Sequence, residues 1–301
     1  MHFGRHSIAV FLAASVAFAA AACGSSEPTD GQTADTRSIV TPLGTYAVPT
    51  SPERVVAIDS RQDLEIALAL DLPVAGITSR MVRPWVPLRG NPETLRSPVD
   101  LVELIRLDTD LIIATNIDDP HWMAPDLNTV APVIPVDPGV QWDVNLTGIA
   151  DWLGRSELAA TAIARYDDRA DRVRNRHLSD DSGERIAIVD LRAPGAVGDL
   201  SHPLSLPGAV VADLNAPVVR FTDSPDDILT EEQAPLLNDA TRLLVITEDP
   251  NIDIDALTAD SFFGELPAVQ EGKVIISGDI TYGSVYTAIE VLDLFDRLYR
   301  L

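Results

Sequence analysis

The order of the apolar segments is the feature that most restricts how this chain can fold. RVVAID at 54–59 and RIAIVD at 185–190 each place an arginine before an apolar run that ends at an aspartate, 131 residues apart. Two further pairs follow in the same order: VELIRLDTDLIIAT at 102–115 with EEQAPLLNDATRLLVIT at 231–247, and PVIPVD at 132–137 with KVIISGD at 273–279. Three matching anchors in one order predict an internal repeat of two related lobes.

Within each lobe, apolar runs alternate with segments of helical spacing. Runs such as 72–78 and 110–115 lack polar alternation, which is typical of strands buried on both faces, whereas 61–70 and 99–107 have the three-to-four spacing of helices. This alternation predicts Rossmann-like α/β lobes, each with a mostly parallel sheet covered by helices. Ahead of them, SIVTPLGTYAV at 38–48 predicts a short hairpin.

The segment between the lobes predicts one long α-helix. Apolar residues recur at helical spacing from Leu146 to Val173, and charged residues crowd 165–172. A helix of about 30 residues would extend about 45 Å, enough to run along both lobes. The expected organisation is an N-terminal α/β lobe over 38–141, an interlobe helix over 142–178 and a C-terminal α/β lobe over 179–301.

The N-terminus predicts export and a lipid anchor. Residues 1–22 read as a signal peptide, because the apolar run of 15 residues from Ile8 to Ala22 is too short to span a bilayer and ends in small residues. Cys23, the sole cysteine, follows directly, and 24–37 is polar, so we expect a lipidated Cys23 with a disordered tether over 23–37. The alternative is an ordinary secretory signal that contains a cysteine. The single lysine among 22 basic residues favours a GC-rich bacterial source, and the predicted place is the outer face of the cytoplasmic membrane of a Gram-positive cell.

Charge and composition exclude some partners. The chain is 46% hydrophobic and 23% charged, which is typical of a soluble globular protein. Acidic residues outnumber basic ones 46 to 22, so a nucleic-acid partner is not expected, since a phosphate-binding surface needs clustered positive charge. An acidic chain of this size is expected to remain a monomer.

Three segments resemble a known family. PERVVAIDSRQDLEIALALDLPVAGIT, VELIRLDTDLIIAT and LPAVQEGKVIISGDITYGSVYTAIEVLDLF are similar to the ABC-importer substrate-binding lipoproteins for ferric siderophores, haem and cobalamin, and the resemblance covers about 38–301. It implies two lobes bridged by one helix and a ligand held in the cleft between them. The family usually has a glycine after the first helix, where this chain has Asp71, which puts the local turn geometry in question.

Ligands of open parallel sheets bind beyond the carboxyl ends of the strands, and this rule selects the candidate site. The residues that follow predicted strands include Ser60, Arg61, Asn116, Arg192, Glu248 and Tyr282. The segment between Gly76 and Pro98 adds four arginines, Arg80, Arg83, Arg89 and Arg96, against Glu93 alone, within a chain of net charge −24. A positive island on an acidic body attracts an anion.

Arg61, Arg80 and Arg83 are therefore predicted ligand-binding residues, with Trp85 as an apolar wall, because ferric catecholate and carboxylate complexes are anionic and arginine both donates to oxygens and stacks on rings. The alternatives are ion pairs with surface acids for Arg80 and Arg83 and a core position for Trp85. Arg89 and Arg96 are expected on the surface.

The second lobe contributes Arg192, His202 and Tyr282 to the predicted ligand site, with Tyr286 as a further candidate. A histidine before a proline also commonly caps a loop, so His202 has that alternative. His121, His177 and His202 are scattered, which argues against a directly bound metal. We therefore predict no metal site and no cofactor, and expect iron to arrive inside its chelator.

The resemblance also implies a partner, the ABC permease in the membrane. In the family a glutamate at the tip of each lobe pairs with permease arginines, and the matching positions are Glu103 and Glu232, with Glu231 as a substitute. The alternative is that these are solvated carboxylates of helix faces.

The leading functional hypothesis is a non-enzymatic binding protein that captures an iron-siderophore complex and passes it to an importer. Haem or cobalamin as ligand, and an orphan binding protein without a permease, remain open. An extracellular hydrolase is the alternative from another class, although G-x-S-x-G and H-E-x-x-H are absent from the sequence.

Overall fold

The computed structural model describes residues 35–59, 61–79, 82–115, 126–178, 183–193, 196–222, 228–230, 232–249 and 251–301, with the backbone alone at 192, 193 and 234. These residues belong to one compact unit, Ala34–Leu301. In the described part of the chain, no helix combines the length and the apolar character that crossing a membrane requires.

The chain begins with the predicted hairpin. Strand β1 (Thr36–Thr41) pairs antiparallel with β2 (Gly44–Pro49), and Thr41 lies opposite Gly44 at the turn. Gly44 has φ +133°, a conformation that side chains rarely adopt, so glycine suits this turn. The hairpin prediction is confirmed.

The first lobe contains a five-stranded sheet in the order β5-β4-β3-β6-β7, with all strands parallel. Its strands are β3 (Val55–Ile58), β4 (Val74–Ile77), β5 (Glu93–Thr94), β6 (Leu111–Thr115) and β7 (Val133–Val136), with helices α1 (Gln62–Ala69) and α2 (Leu101–Arg106) and a 3₁₀ turn at Leu127–Thr129. Every residue of β3, β6 and β7 is buried, because helices cover both faces of the sheet.

The segment between the lobes forms two helices, so the prediction of one continuous helix is wrong. Helix α3 (Trp142–Leu153) ends at Gly154, whose φ of +67° is left-handed, and α4 (Ser156–His177) begins two residues later. A side chain at residue 154 would lie 2.6 Å from the Arg37 guanidinium, so the glycine also permits the hairpin to pack there. Helix α4 alone, 22 residues and about 33 Å long, contacts α1 of the first lobe and helices of the second.

The second lobe contains a four-stranded sheet in the order β11-β10-β8-β9, in which only β9 is antiparallel. Its strands are β8 (Ile186–Ala193), β9 (Ala196–Asp199), β10 (Arg242–Ile246) and β11 (Val274–Ser277). Its helices are α5 (Leu206–Leu214), α6 (Ile254–Ala259), α7 (Pro267–Gln270) and α8 (Val285–Leu298), with 3₁₀ turns at Ala234–Asp239 and Phe263–Glu265. Helix α4 packs on α5 and α8.

The internal repeat is present in three strands of each sheet. Strands β3-β6-β7 and β8-β10-β11 have the same order and direction, and Val55 pairs with Leu111 as Ile186 pairs with Arg242. Both members of the second pair lie 131 residues after those of the first. The fourth strand differs, because α1 carries the chain to a parallel β4, whereas β9 returns directly as an antiparallel hairpin.

Asp71 occupies the position where the resemblance expects glycine. Its φ is +53°, so the turn keeps the left-handed conformation with an aspartate in place of glycine. Arg155 Nη1 donates to the carbonyl oxygens of Leu70 at 2.8 Å and Asp71 at 3.2 Å. These bonds satisfy the end of α1 and hold it against the start of α4.

Candidate functional site: the interlobe cleft

The first strand of the first lobe delivers two charged residues to the cleft. Asp59 follows β3 with φ +85° and is buried, and its backbone N–H donates to Thr78 Oγ1 at 3.1 Å. Its Oδ1 lies 3.4 Å from Nε of Arg61, which precedes α1. Burial raises the pKa of Asp59, and the Arg61 charge offsets part of that rise.

Asp279 of the second lobe forms ion pairs with Arg61 and Arg83, two of the predicted ligand-binding arginines. It follows β11, and its Oδ2 accepts from Arg83 Nη2 at 2.8 Å and from Arg61 Nη1 at 3.3 Å. Burial alone would raise its pKa, but Arg83 and the Thr281 N–H that donates to Oδ1 lower it below its ordinary value. Asp279 therefore stays ionised and draws the two arginines of one lobe towards the other.

Glu65 is a fully buried charged residue that joins the two lobes. It lies on α1 with no exposed surface, and its Oε2 accepts from the backbone N–H of Ser284 at 2.8 Å and of Thr287 at 2.9 Å. Its Oε1 accepts from Thr287 Oγ1. A carboxylate of the first lobe thus satisfies the N-terminal donors of α8 in the second lobe. Burial raises the pKa of Glu65, and the bonds from Thr287 counteract that rise.

Arg83 and Trp85 contribute to the contact between the lobes. The Arg83 side chain is 12% exposed, and its Nη1 donates to Tyr282 O at 2.5 Å and lies 3.6 Å from Glu65 Oε1. Trp85 Nε1 donates to Thr287 Oγ1 at 2.9 Å. Trp85 is packed, as its alternative expects, and Arg83 is ion-paired, although with carboxylates between the lobes and not with the surface acids that the sequence suggested. Asp59, Arg61, Glu65, Arg83 and Asp279 are called the interlobe cluster below.

Arg61 and Tyr282 form the most accessible pair of predicted ligand residues in the described chain. Arg61 Cζ lies 5.5 Å from the centroid of the Tyr282 ring, within the range of a cation–π contact. The Arg61 side chain is 32% exposed and Tyr282 is 53% exposed. Beside them is a small pocket whose lining comes from both lobes and includes Gln62, Gln141 and Leu204.

His202 lies in the loop that leads into α5, near the rim of this pocket. Its Nδ1 accepts from the Leu204 backbone N–H at 3.2 Å, and its carbonyl oxygen accepts from Ser205. The neighbouring Pro203 O accepts from Gln141 Nε2 at 2.8 Å, which joins the two lobes again. These hydrogen bonds cap backbone groups of the loop, which is the alternative role of His202.

Some predicted residues lie outside the described residues: Cys23, Ser60, Arg80, Asn116, His121 and Glu231. Arg192 is in β8, and only its backbone is described. Arg89 and Arg96 are on the surface as expected, since both side chains are 75% exposed. Within the described ranges, no group of three or more His, Cys, Asp or Glu residues is arranged to hold a metal ion.

The two predicted docking glutamates differ in accessibility. Glu103 lies in the first turn of α2 with its side chain 19% exposed, and its Oε2 accepts from the Arg96 backbone N–H at 3.2 Å. Glu232 is exposed and lies just before the 3₁₀ turn at Ala234–Asp239.

Sequence reasoning missed the three carboxylates of the interlobe cluster. Asp59 ends the RVVAID run and Asp279 ends KVIISGD, and at both positions the pattern indicates only the end of a strand. Glu65 lies among apolar residues in LEIALAL, on a helix whose neighbouring residues are buried. An acid on a buried helix face was the available signal, because such a group needs a partner.

Comparisons with known proteins support the fold. No family model matches the chain. No curated protein matches its sequence. Among solved structures, a periplasmic solute binding protein from Mycobacterium smegmatis is 21% identical with a TM-score of 0.72, over 88% of this chain and 98% of that chain. Staphylococcus aureus SirA, complexed with staphyloferrin B, is 22% identical with a TM-score of 0.65 over the same shares. A Bacillus subtilis periplasmic binding protein component of a Fep/Fec-like ferrichrome ABC transporter is 17% identical with a TM-score of 0.72, over 86% and 99%.

These alignments cover most of this chain and nearly all of each solved chain, so the fold is that of a periplasmic solute-binding protein. More narrowly, it is the two-lobed fold found in siderophore-binding proteins of ABC iron transporters. The predicted fold class, two α/β lobes bridged by a helix, is confirmed.

Proposed function

We propose that this protein captures a ferric siderophore in the interlobe cleft and delivers it to an ABC importer, without chemistry on the ligand. The observation that carries the proposal is the Arg61–Tyr282 pair, which the carboxyl ends of β3 and β11 bring together from different lobes. Ligands of this sheet type bind at that edge. The matching structures bound to acinetobactin, staphyloferrin B or bacillibactin complexes support the ligand class.

The pair suits an oxygen-rich complex whose chelating groups include planar rings. The Arg61 guanidinium donates to oxygens along its edge, and the Tyr282 ring offers a face for stacking and a hydroxyl for a hydrogen bond. The interlobe cluster sets two arginines against three carboxylates, which leaves one net negative charge when all are ionised. Arg61 therefore orients the ligand and stacks on it, because its charge is balanced within the cluster. We assign the electrostatic attraction of an anionic ligand to Arg80 and Arg192.

Tryptophan fluorescence tests the ligand, because Trp85 lies in the contact between the lobes. Purified protein is titrated with ferric catecholate, carboxylate and hydroxamate siderophores, haem and cobalamin. Saturable quenching by a ferric siderophore is expected. Loss of a stacking contact in Arg61→Met or Tyr282→Ala should weaken binding by about tenfold, which corresponds to about 1.4 kcal/mol.

Arg89→Met is the matched control, because Arg89 is 75% exposed and pairs with Asp71 outside the cleft. Its affinity should equal that of the wild type. Saturable quenching by haem or cobalamin alone would contradict the siderophore assignment, and turnover of ester or amide substrates would favour the hydrolase alternative.

The membrane-bound part of the proposal concerns Cys23, Glu103 and Glu232. Lipidation of Cys23 would hold the protein at the outer face of the membrane on the tether at 23–37, and Cys23→Ser should release it into the medium. Charge reversal at Glu103 and Glu232 together should reduce iron uptake while ligand affinity is retained. Normal uptake by that double variant would remove these glutamates from the docking surface.

A further inference from the structure

The small pocket beside the Arg61–Tyr282 pair, called the cleft pocket below, has an uncharged lining among the described residues. Its lining includes Gln62, Val140 and Gln141 from the first lobe and Leu204 and Thr281 from the second. Its volume of about 30 Å³ has room for about two water molecules. The cleft pocket therefore accepts one small uncharged group of a ligand, while the rest of the ligand lies outside it.

Gln62 is a buried polar residue of this pocket. It is the first residue of α1 and is only 7% exposed. Among the residues that the structure describes, its side-chain amide has no hydrogen-bond partner. A buried amide without a partner lowers the stability of a protein, and a ligand that pairs with this amide removes that cost when it binds. Gln62 is therefore a group that a ligand can satisfy.

Most other polar groups of the cleft pocket are already engaged. Ser205 Oγ donates to Leu200 O at 2.6 Å, and Gln141 Nε2 donates to Pro203 O at 2.8 Å. The Thr281 hydroxyl, in contrast, has no partner within the described ranges. The pocket thus offers a free amide from the first lobe and a free hydroxyl from the second.

The charges beside the cleft pocket disfavour an anionic group inside it. Arg61, which precedes Gln62, is already paired with Asp59 and Asp279. An ionised carboxylate in the pocket would therefore lie near two carboxylates whose arginine is engaged. An amide has no charge, and it both donates and accepts a hydrogen bond, as Gln62 does. The exposed apolar side chains of the lining suit the hydrocarbon next to such an amide.

We infer that Gln62 determines the specificity for the ligand by pairing with an amide in a siderophore arm. Its Oε1 accepts from the ligand N–H, its Nε2 donates to the ligand carbonyl, and the Thr281 hydroxyl adds a bond from the other lobe. This inference rests on the proposed function and narrows the ligand class of the same cleft to amide-bearing chelators. A site built to bond a polar group rejects analogues that lack it, because its own groups then stay unpaired.

The test compares the wild type with Gln62→Leu, a side chain of similar volume without an amide. Isothermal titration calorimetry measures the affinity for ferric desferrioxamine B and ferri-bacillibactin, which contain amides, and for ferric citrate, which contains none. The wild type should prefer an amide-bearing complex. The variant should bind that complex about tenfold more weakly, because one or two hydrogen bonds are lost, and its affinity for ferric citrate should equal that of the wild type.

Thermal unfolding separates this role from a structural one. Leucine replaces a buried amide that has no partner, so the melting temperature of Gln62→Leu should equal or exceed that of the wild type. A lower melting temperature with unchanged affinity would make Gln62 a structural residue and overturn the inference. Thr281→Val removes the hydroxyl of the second lobe and should weaken binding of the amide-bearing complex by about threefold.

Gln270→Leu is the matched control, since Gln270 is exposed at the end of α7 and lies outside the lining of the cleft pocket. Its affinity for each complex should equal that of the wild type. Equal affinity of Gln62→Leu for the amide-bearing complex would overturn the inference, and so would a wild type that prefers ferric citrate. Both results leave the proposed function in place, whereas a wild type that binds no ferric siderophore would remove the proposed function and this inference with it.

Discussion

Replacement of Glu65 by alanine tests whether this buried carboxylate holds the lobes together. The change leaves the backbone N–H groups of Ser284 and Thr287 without their acceptor inside the protein. Each orphaned buried donor costs about 1–3 kcal/mol, so the free energy of unfolding should fall by about 2–6 kcal/mol. Arg83 retains its ion pair with Asp279, so the loss of its contact with Glu65 adds less to the fall in the free energy of unfolding.

Glu65→Gln separates hydrogen bonding from charge. The amide oxygen can accept from both N–H groups, so the variant should lose only about 1–2 kcal/mol. Since burial raises the Glu65 pKa, the folded protein keeps this proton between the unfolded and the folded pKa, where the unfolded chain has lost it. The wild type should therefore lose stability as pH rises through the folded pKa, and the glutamine variant should lack this dependence.

Urea unfolding followed by circular dichroism measures these differences. Glu53→Ala serves as the control, since Glu53 is exposed and should change stability by less than about 0.5 kcal/mol. If the free energy of unfolding fell no further in Glu65→Ala than in Glu53→Ala, Glu65 would not hold the lobes together.

Three further changes test other contacts. Gly283→Ala would place a Cβ 2.5 Å from Thr287 Cβ, so we expect a loss of about 1–3 kcal/mol in thermal unfolding, and an unchanged melting temperature would refute the crowding. Tyr166→Phe removes the hydroxyl that donates to Asp213 Oδ2 at 2.6 Å between α4 and α5; it should cost about 1–2 kcal/mol in urea, and no loss would mean that this bond adds nothing. Burial raises the pKa of Tyr166, so the hydroxyl stays protonated at neutral pH. Asp296 accepts from two arginines and a histidine of α4; burial would raise its pKa, but these bonds lower it. Its stabilisation is present above about pH 3.9 and is lost below it, so Asp296→Asn should be less stable at pH 7 and should show a flatter acid titration of stability; an equally steep one would exclude Asp296 as its source.

The strands and the repeat were predictable because they depend on local patterns. Val55–Ile58 and Leu111–Thr115 are continuous apolar runs, and such runs indicate strands buried on both faces wherever they occur. The helix prediction failed at Gly154, because the apolar spacing continues on both sides of a single left-handed glycine. Periodicity alone cannot distinguish a tolerated glycine from one that ends a helix.

The residues of the candidate site could be selected from the sequence, but their ion-pair partners could not. The ends of the strands located Arg61 and Tyr282, and the cluster of arginines drew attention to Arg83. Their partner Asp279 lies 196 residues from Arg83 and 218 from Arg61 along the chain. No local pattern joins groups so far apart, so the sequence left open whether these arginines face a ligand or an acid.

The sequence by itself determined the two lobes and their buried strands, because hydrophobic burial depends on patterns among neighbouring residues. Only the tertiary structure decided how the lobes are joined. Glu65 reaches α8, and Asp279 reaches two arginines, because packing places them within a few ångströms of groups about 200 residues away. Electrostatic and hydrogen-bond energies depend on those distances, and the folded chain alone defines them.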